Sequence, residues 1–278
     1  NFIRLYVNRL RYFTMNIQDR FKDYKTIVIK VGTSTITYPN GNLNFRMIDR
    51  LCWMMSDLKN RDKNVVLVSS GAIGVGSKRL GFETRPQLTR EKQASAAVGQ
   101  AILMQIYQSF FNTYTQTVAQ ILLTKTDFEH GIRRTNTENT FAELISRGII
   151  PIVNANDTTS TYEIEFSDND RLAANVAALL KADLLILLTD IDALYDSDPR
   201  QNPDAKRIKI VEKVTCEIES MAGRAGSKFS VGGMATKISA AKLCAENGVH
   251  MVIADGGDAA IIEKVVDGED VGTLFIGR

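Results

Sequence analysis

"TIVIKVGTS" (residues 26–34) sets a lysine, Lys30, inside a β-branched run and follows it at once with Gly32 and two hydroxyl side chains. A run that is apolar apart from one position reads as a strand covered on both faces, not one with a face in water. Five more runs share that character: "NVVLVS" (64–69), "TVAQILL" (117–123), "IIPIVN" (149–154), "DLLILLT" (183–189) and "VHMVIA" (249–254). Helical patterns lie between them, notably "FRMIDRLCWMMSDLKNR" (45–61), "QASAAVGQAILMQIYQSFF" (93–111) and "DRLAANVAALLKA" (170–182). This alternation predicts an α/β fold, a three-layer αβα sandwich with a mostly parallel central sheet and right-handed crossovers. Ligands in such folds gather at the carboxyl ends of the strands, which is where Lys30 falls.

The chain has 278 residues, 44% hydrophobic and 24% charged, enough to bury a large core and too apolar for a disordered chain. No stretch is long and apolar enough to read as a membrane span. The formal charge of +2 owes three units to Arg4, Arg9 and Arg11 in "NFIRLYVNRLRYFT" (1–14); without them the remainder is −1. A near-neutral body offers no footprint for nucleic acid. Residues 1–14 lack the features of a signal or transit peptide and read as an upstream extension, with Met15 as the natural start. Cys52, Cys216 and Cys244 are scattered and odd in number, which suits a reducing cytoplasm rather than a disulfide framework or a zinc site. With only His130 and His250, no His-based metal motif can be assembled.

Four segments carry candidate chemistry, each just after a strand or opening a helix. "SSGAIGVGSKRLG" (69–81) would need a third glycine at Arg79 to be a dinucleotide fingerprint, and the chain has no P-loop pattern. Gly71 at a strand end, with a helix starting near Ala72, either aims backbone N–H groups at an anion or makes a plain turn. Lys30 alone would read as a snorkelling edge lysine, but the glycine and hydroxyls behind it favour a phosphate ligand. In "VGGMATKISAAKLCAENG" (231–248), Lys237 near the helix start opposes the helix dipole, a conflict that a bound anion would remove. "NANDTTSTYEIEFSDNDRLAANVA" (154–177) gathers Asn154, Asn156, Asp157, Asp168, Asn169 and Asp170; one of them can cap the following helix, and the cluster suits an amino acid's ammonium and carboxylate. "LLTDIDALYDSDPR" (187–200) ends a strand in Thr189 and Asp190, which could hold a nucleoside or merely turn the chain. The segments 196–206 and 223–233 read as surface loops.

Taken together, "IVIKVGTS", "SSGAIGVG", "AAVGQ", "AQILLT", "IPIVNAND", "SDNDRLAANVA", "LLTDIDALYDSDPR", "GGMATK" and "VGTLF" resemble, in order and spacing, the amino acid kinase family and its glutamate 5-kinase branch. The resemblance runs from about Lys25 to Gly277 and implies one catalytic domain over 15–278, without the carboxyl-terminal PUA domain of many members. It implies transfer of the γ-phosphoryl of ATP, with Mg²⁺, to the side-chain carboxylate of L-glutamate, giving glutamyl 5-phosphate for proline synthesis. Carried over position by position, Lys30, Gly32, Gly71, Thr189, Asp190 and the run Val231, Gly232, Gly233, Met234, Ala235, Thr236 and Lys237 would meet ATP. Ser70, Asp157 and Asn169 would bind glutamate. The family further implies a homo-oligomer (dimer or tetramer), feedback by proline, and possible transfer of product to glutamyl phosphate reductase. Ala155, Ser167 and Ala193 depart from its pattern, which has Glu, Gly and Gly there; the first two flank the proposed glutamate site.

A γ-carboxylate with a pKa of about 4.3 is already a nucleophile at neutral pH, so no general base is needed. Phosphoryl transfer needs charge stabilisation instead. Lys30 and Lys237 are the expected pair for it, with Asp170 expected to hold them rather than to act as a base. Mg²⁺ would arrive on ATP. Closure of the 155–168 segment over the site is expected to protect the acyl phosphate. The alternatives are another acceptor on the same fold, such as N-acetylglutamate or aspartate, and a non-catalytic sensor of proline or glutamate.

Overall fold

The structure, a computed structural model, describes residues 17–159, 169–199, 201–224 and 233–277. The expectations for residues 1–14, for Ser167 and Asp168, and for Val231 and Gly232 lie outside these. In chain order the elements are β1 (Thr26–Val31), α1 (Thr33–Ile36), α2 (Phe45–Asn60), β2 (Asn64–Ser69), α3 (Ala72–Arg79), α4 (Thr89–Thr113), β3 (Val118–Leu123), α5 (Ile132–Ser146), β4 (Ile150–Ala155) and α6 (Asn169–Leu179). There follow β5 (Leu184–Thr189), β6 (Leu194–Tyr195), β7 (Arg207–Ile208), β8 (Ile210–Val211), α7 (Cys216–Arg224), α8 (Met234–Glu246), β9 (His250–Asp255), α9 (Ile261–Val266) and β10 (Thr273–Phe275).

Eight strands form one sheet in the order β3-β4-β2-β1-β5-β9-β10-β8, with β6 and β7 paired as a separate ribbon. The sheet is parallel from β3 to β9, and β10 runs antiparallel to β9. Short strands β8 and β10 are absent from the sequence expectation because two or three residues leave no readable alternation. The six longer strands fall within one residue of the expected limits.

Side chains on β1 alternate between two cores, as the period of a strand demands. Ile27, Ile29 and Val31 pack with Ile48, Leu51 and Leu103 from α2 and α4. Val28 packs on the opposite face with Phe141 of α5, Ala173, Ala174 and Ala177 of α6, and Ile238 of α8. Lys30 shares the Val28 face and lies between Val68 of β2 and Leu187 of β5 in register. The strand period thus turns the lysine toward α6 and α8.

Two helices differ in extent from the sequence reading. Helix α4 begins at Thr89, four residues before the expected start, because its first turn "TREK" is polar and shows no apolar period. Helix α6 stops at Leu179, short of the expected 182: Lys181 takes a left-handed conformation (φ 48) and turns the chain into β5. Asp183 then fixes the start of β1, its Oδ2 accepting from the Lys25 and Thr26 N–H groups at 2.8 Å each. Among the described residues no helix is long and apolar enough to cross a membrane.

Helices α3 and α4 touch backbone to backbone. A Cβ on Gly76 would sit 1.8 Å from the Ser95 carbonyl oxygen, and one on Gly99 would sit 1.8 Å from that of Ala72. Neither oxygen can retreat without moving its helix. Gly99→Ala therefore destabilises the fold by about 2 kcal/mol or more, as overpacking does, with a fall of several degrees in Tm. Gly74→Ala, whose Cβ meets only the Thr33 methyl at 3.8 Å, leaves Tm unchanged or slightly raised in the same thermal unfolding measurement.

Candidate active site

The carboxyl ends of β1, β2, β4 and β5, and the first turns of α3, α6 and α8, border a cleft of ≈ 700 Å³ lined by Lys30, Gly32, Ser70, Gly71, Asp157, Asn169, Asp170, Thr189, Asp190 and Lys237, among others. That volume is of the order that holds a nucleotide or other small molecule.

At its head, Lys30 Nζ lies 2.6 Å from Asp170 Oδ1 and Lys237 Nζ lies 3.1 Å from Asp170 Oδ2. The three residues are 8%, 3% and 2% exposed in the order Lys30, Lys237, Asp170, so these are buried ion pairs and not rim contacts. The Thr236 hydroxyl stands 3.0 Å from Asp170 Oδ2 and 2.8 Å from the Gly233 carbonyl oxygen. Burial pushes the Asp170 carboxyl up, but the charges of Lys30 and Lys237 more than reverse this and hold it below its ordinary value. Asp170 is therefore ionised throughout the neutral range. Its place in the first turn of α6 adds a favourable dipole. The conflict expected for Lys237 at the start of α8 is met by an anion of the protein's own, this same carboxylate.

Beside the lysines lies an amide and hydroxyl cluster. The Asn169 Nδ2 group donates to Ser70 Oγ (2.7 Å), to the Ser69 carbonyl (3.1 Å) and to Asn154 Oδ1 (3.3 Å). Asn154 is 2% exposed at the end of β4, and its Oδ1 also accepts from the Ala155 N–H at 2.9 Å. Ala155, where the family pattern has Glu, serves this cluster through its backbone. Ala193, the other departure within the described residues, is fully buried.

Gly71 begins α3 with φ 96, a left-handed turn suited to glycine, and a Cβ there would come 3.1 Å from Ile36 Cδ1. Thr189 is buried at the end of β5, its hydroxyl donating to Asp190 Oδ1 at 3.0 Å, while Asp190 is exposed. Gly233 caps α8 and the Met234 side chain packs into the core, leaving only its backbone to face a ligand. Ala235 is exposed.

Sequence reasoning missed the outer wall of the cleft, where Asn40, Lys78, Phe82 and Arg85 stand. Lys78 Nζ donates to the Asn40 carbonyl (3.0 Å) and to Asn42 Oδ1 (2.5 Å), joining α3 to the turn that follows α1. Gln100 was missed as well, since one glutamine among several on a helix (Gln93, Gln105 and Gln108 are the others) reads as surface.

Residues 25–255 match the model of the amino acid kinase family. A Clostridium perfringens protein named glutamate 5-kinase is 52% identical over 261 residues, covering 92% of this chain and 97% of that protein. A Listeria monocytogenes protein of the same name is 48% identical over 266 residues, covering 94% and 96%. Among solved structures, UMP kinase from Bacillus anthracis superposes with a TM-score of 0.60 at 14% identity, covering 91% of this chain and 96% of that one. UMP kinase from Ureaplasma parvum gives 0.61 at 16%, covering 90% and 98%. At such identities the two structures speak for the fold alone. With the family model spanning most of the chain and relatives about half identical along nearly all of it, the chain belongs to the amino acid kinase family.

Proposed function

We propose that the protein transfers the γ-phosphoryl group of ATP to the γ-carboxylate of L-glutamate, yielding glutamyl 5-phosphate and ADP, as the first step of proline synthesis. The observation that carries this reading is the convergence of two buried lysines on one carboxylate, next to a cluster of amides and hydroxyls. The relatives' name supplies the acceptor.

The bond that forms joins a glutamate carboxylate oxygen to the γ-phosphorus, and the bond that breaks is the one to the β,γ-bridging oxygen. The carboxylate is ionised at pH 7 and needs no proton removed. Lys30 and Lys237 approach from β1 and α8 and balance charge on the transferring group; Asp170 holds their ammonium groups in place. The N–H groups beside Gly32 and Gly71 add donors at the phosphates. Thr189, Asp190 and the 231–237 run hold the rest of the nucleotide. Ser70, Asp157 and Asn169 hold the amino acid end of glutamate.

Among the described residues no group of three His, Cys, Asp or Glu stands together as a metal site. The cationic head of the cleft fits phosphate oxygens, and Mg²⁺ would be carried on those oxygens, where it supplies further charge neutralisation. The chain's own task is to hold the phosphates. Proline, an amino acid of similar backbone chemistry, would compete in the same pocket. The labile acyl phosphate favours prompt delivery to a reductase. A cytoplasmic homo-oligomer completes this reading.

Purified protein given ATP, Mg²⁺ and hydroxylamine forms hydroxamate with L-glutamate and little with N-acetylglutamate or aspartate; nucleotide binding without turnover on any acceptor would point to a sensor. Asp170→Asn lowers kcat by about 100-fold or more, because the lysines lose their fixed position, while KM for glutamate stays within about threefold. The depressed Asp170 carboxyl keeps its charge above its ordinary value near 3.8 and loses it only as pH falls through a lower one. With the nucleophile also ionised, kcat/KM for glutamate is flat from pH 7.5 down to about 5.5. A unit slope in that window would reveal a general base and contradict the mechanism.

A further inference from the structure

Gln100 stands on α4 outside the cleft's catalytic residues, one residue after the glycine that presses α4 against α3. It is 8% exposed, and its Oε1 accepts from Asn154 Nδ2 at 2.9 Å. Asn154 in turn presents Oδ1 to Asn169 Nδ2 and to the Ala155 N–H. Three carboxamides on α4, β4 and α6 thus form one chain of hydrogen bonds leading into the substrate pocket.

The polarity of that chain is set by backbone groups that have no choice of role. The Ala155 N–H can only donate, so the Asn154 atom facing it must be the oxygen. The Asn154 NH₂ is thereby turned to Gln100, which must answer with its own oxygen. At the far end the Ser69 carbonyl can only accept, so the Asn169 atom facing it must be the nitrogen. The Asn169 NH₂ is committed to Ser69, Ser70 and Asn154, and its Oδ1 lies at the other end of the carboxamide as an acceptor. An acceptor is what an α-ammonium group requires.

We infer that Gln100 is a positioning residue for the amino acid substrate: its side-chain oxygen locks Asn154, and through it holds Asn169 with the carboxamide oxygen offered to the substrate's ammonium. The inference rests on the proposed glutamate reading. Removing the acceptor at position 100 leaves the buried Asn154 NH₂ unpaired, and that carboxamide shifts off its present place to find another partner. The shift draws Oδ1 away from Asn169 Nδ2, so the Asn169 carboxamide is held by Ser69 and Ser70 alone and its oxygen is no longer fixed toward the substrate. Helix α4 matters here beyond its packing. The backbone contact at Gly76 and Gly99 fixes its height against α3, and so fixes where the Gln100 oxygen can reach.

The test compares Gln100→Glu with Gln100→Leu. Glutamate keeps an acceptor oxygen and, if only packing mattered, would be the worse choice in a buried site; leucine fills the volume and accepts nothing. Positioning predicts the reverse order. Gln100→Leu raises KM for L-glutamate about tenfold or more, with KM for ATP little changed and Tm lowered by a few degrees, whereas Gln100→Glu keeps KM for L-glutamate within about threefold of the unaltered protein. Gln100→Met, unbranched and also without an acceptor, follows Gln100→Leu and covers the case in which the leucine variant does not fold. Equal KM values for Glu, Leu and Met, or a lower KM for Leu than for Glu, would overturn the inference. Failure of the unaltered protein to form hydroxamate from L-glutamate would instead overturn the proposed function, so the two failures are told apart by a single control.

Discussion

One buried carboxylate is shared by two ammonium groups that belong to different parts of the chain, and the site is built around that sharing. Lys30 comes from the central strand and Lys237 from a helix more than two hundred residues later, yet both end within 3.1 Å of Asp170. Burying such charges is costly, and a buried ion pair seldom adds stability over a packed apolar pair. Its worth is positional. With the carboxylate fixed at the start of α6 by Thr236 and by the helix itself, neither lysine is free to drift, which is what the proposed phosphoryl transfer asks of them.

That arrangement follows from strand register. Position 30 is even in a strand whose even residues face α6 and α8, and a one-residue slip would deliver the lysine into the α2–α4 core. β1 and the five strands nearest it run parallel, so their carboxyl ends open on one side and the polar turns collect there. The glycine contact between α3 and α4 does the same work for the second half of the site. It brings the Gly71 turn and Gln100 to the same level, and the amide chain from Gln100 to Asn169 depends on it.

Much of this was legible in the sequence. The central strands announce themselves because both faces are buried and the apolar run is continuous. The site residues on strand ends could be picked out because lysine, aspartate and asparagine are out of place there. What stayed hidden had physical reasons. Strands β8 and β10 are too short to show a period, and the first turn of α4 is polar. Gly71 read as a turn at a strand end and is one, whereas nothing in "GAIGVG" told that Gly76 is there to let a second helix pass. Gln100 looks like a surface residue until the fold places Asn154 beside it.

The central claim is that Asp170 acts through the lysines and not on the substrate. A mutant cycle on the rate of phosphoryl transfer tests it most directly, using the pair Lys30→Met and Lys237→Met, Asp170→Asn alone, and all three combined in single-turnover reactions with ATP and L-glutamate. If the carboxylate works by holding Lys30 and Lys237, the combined variant is about as slow as the one lacking both lysines, since the groups act as a unit. If instead the losses multiply, Asp170 contributes independently of the lysines, and the account of a shared carboxylate that only positions its partners is wrong.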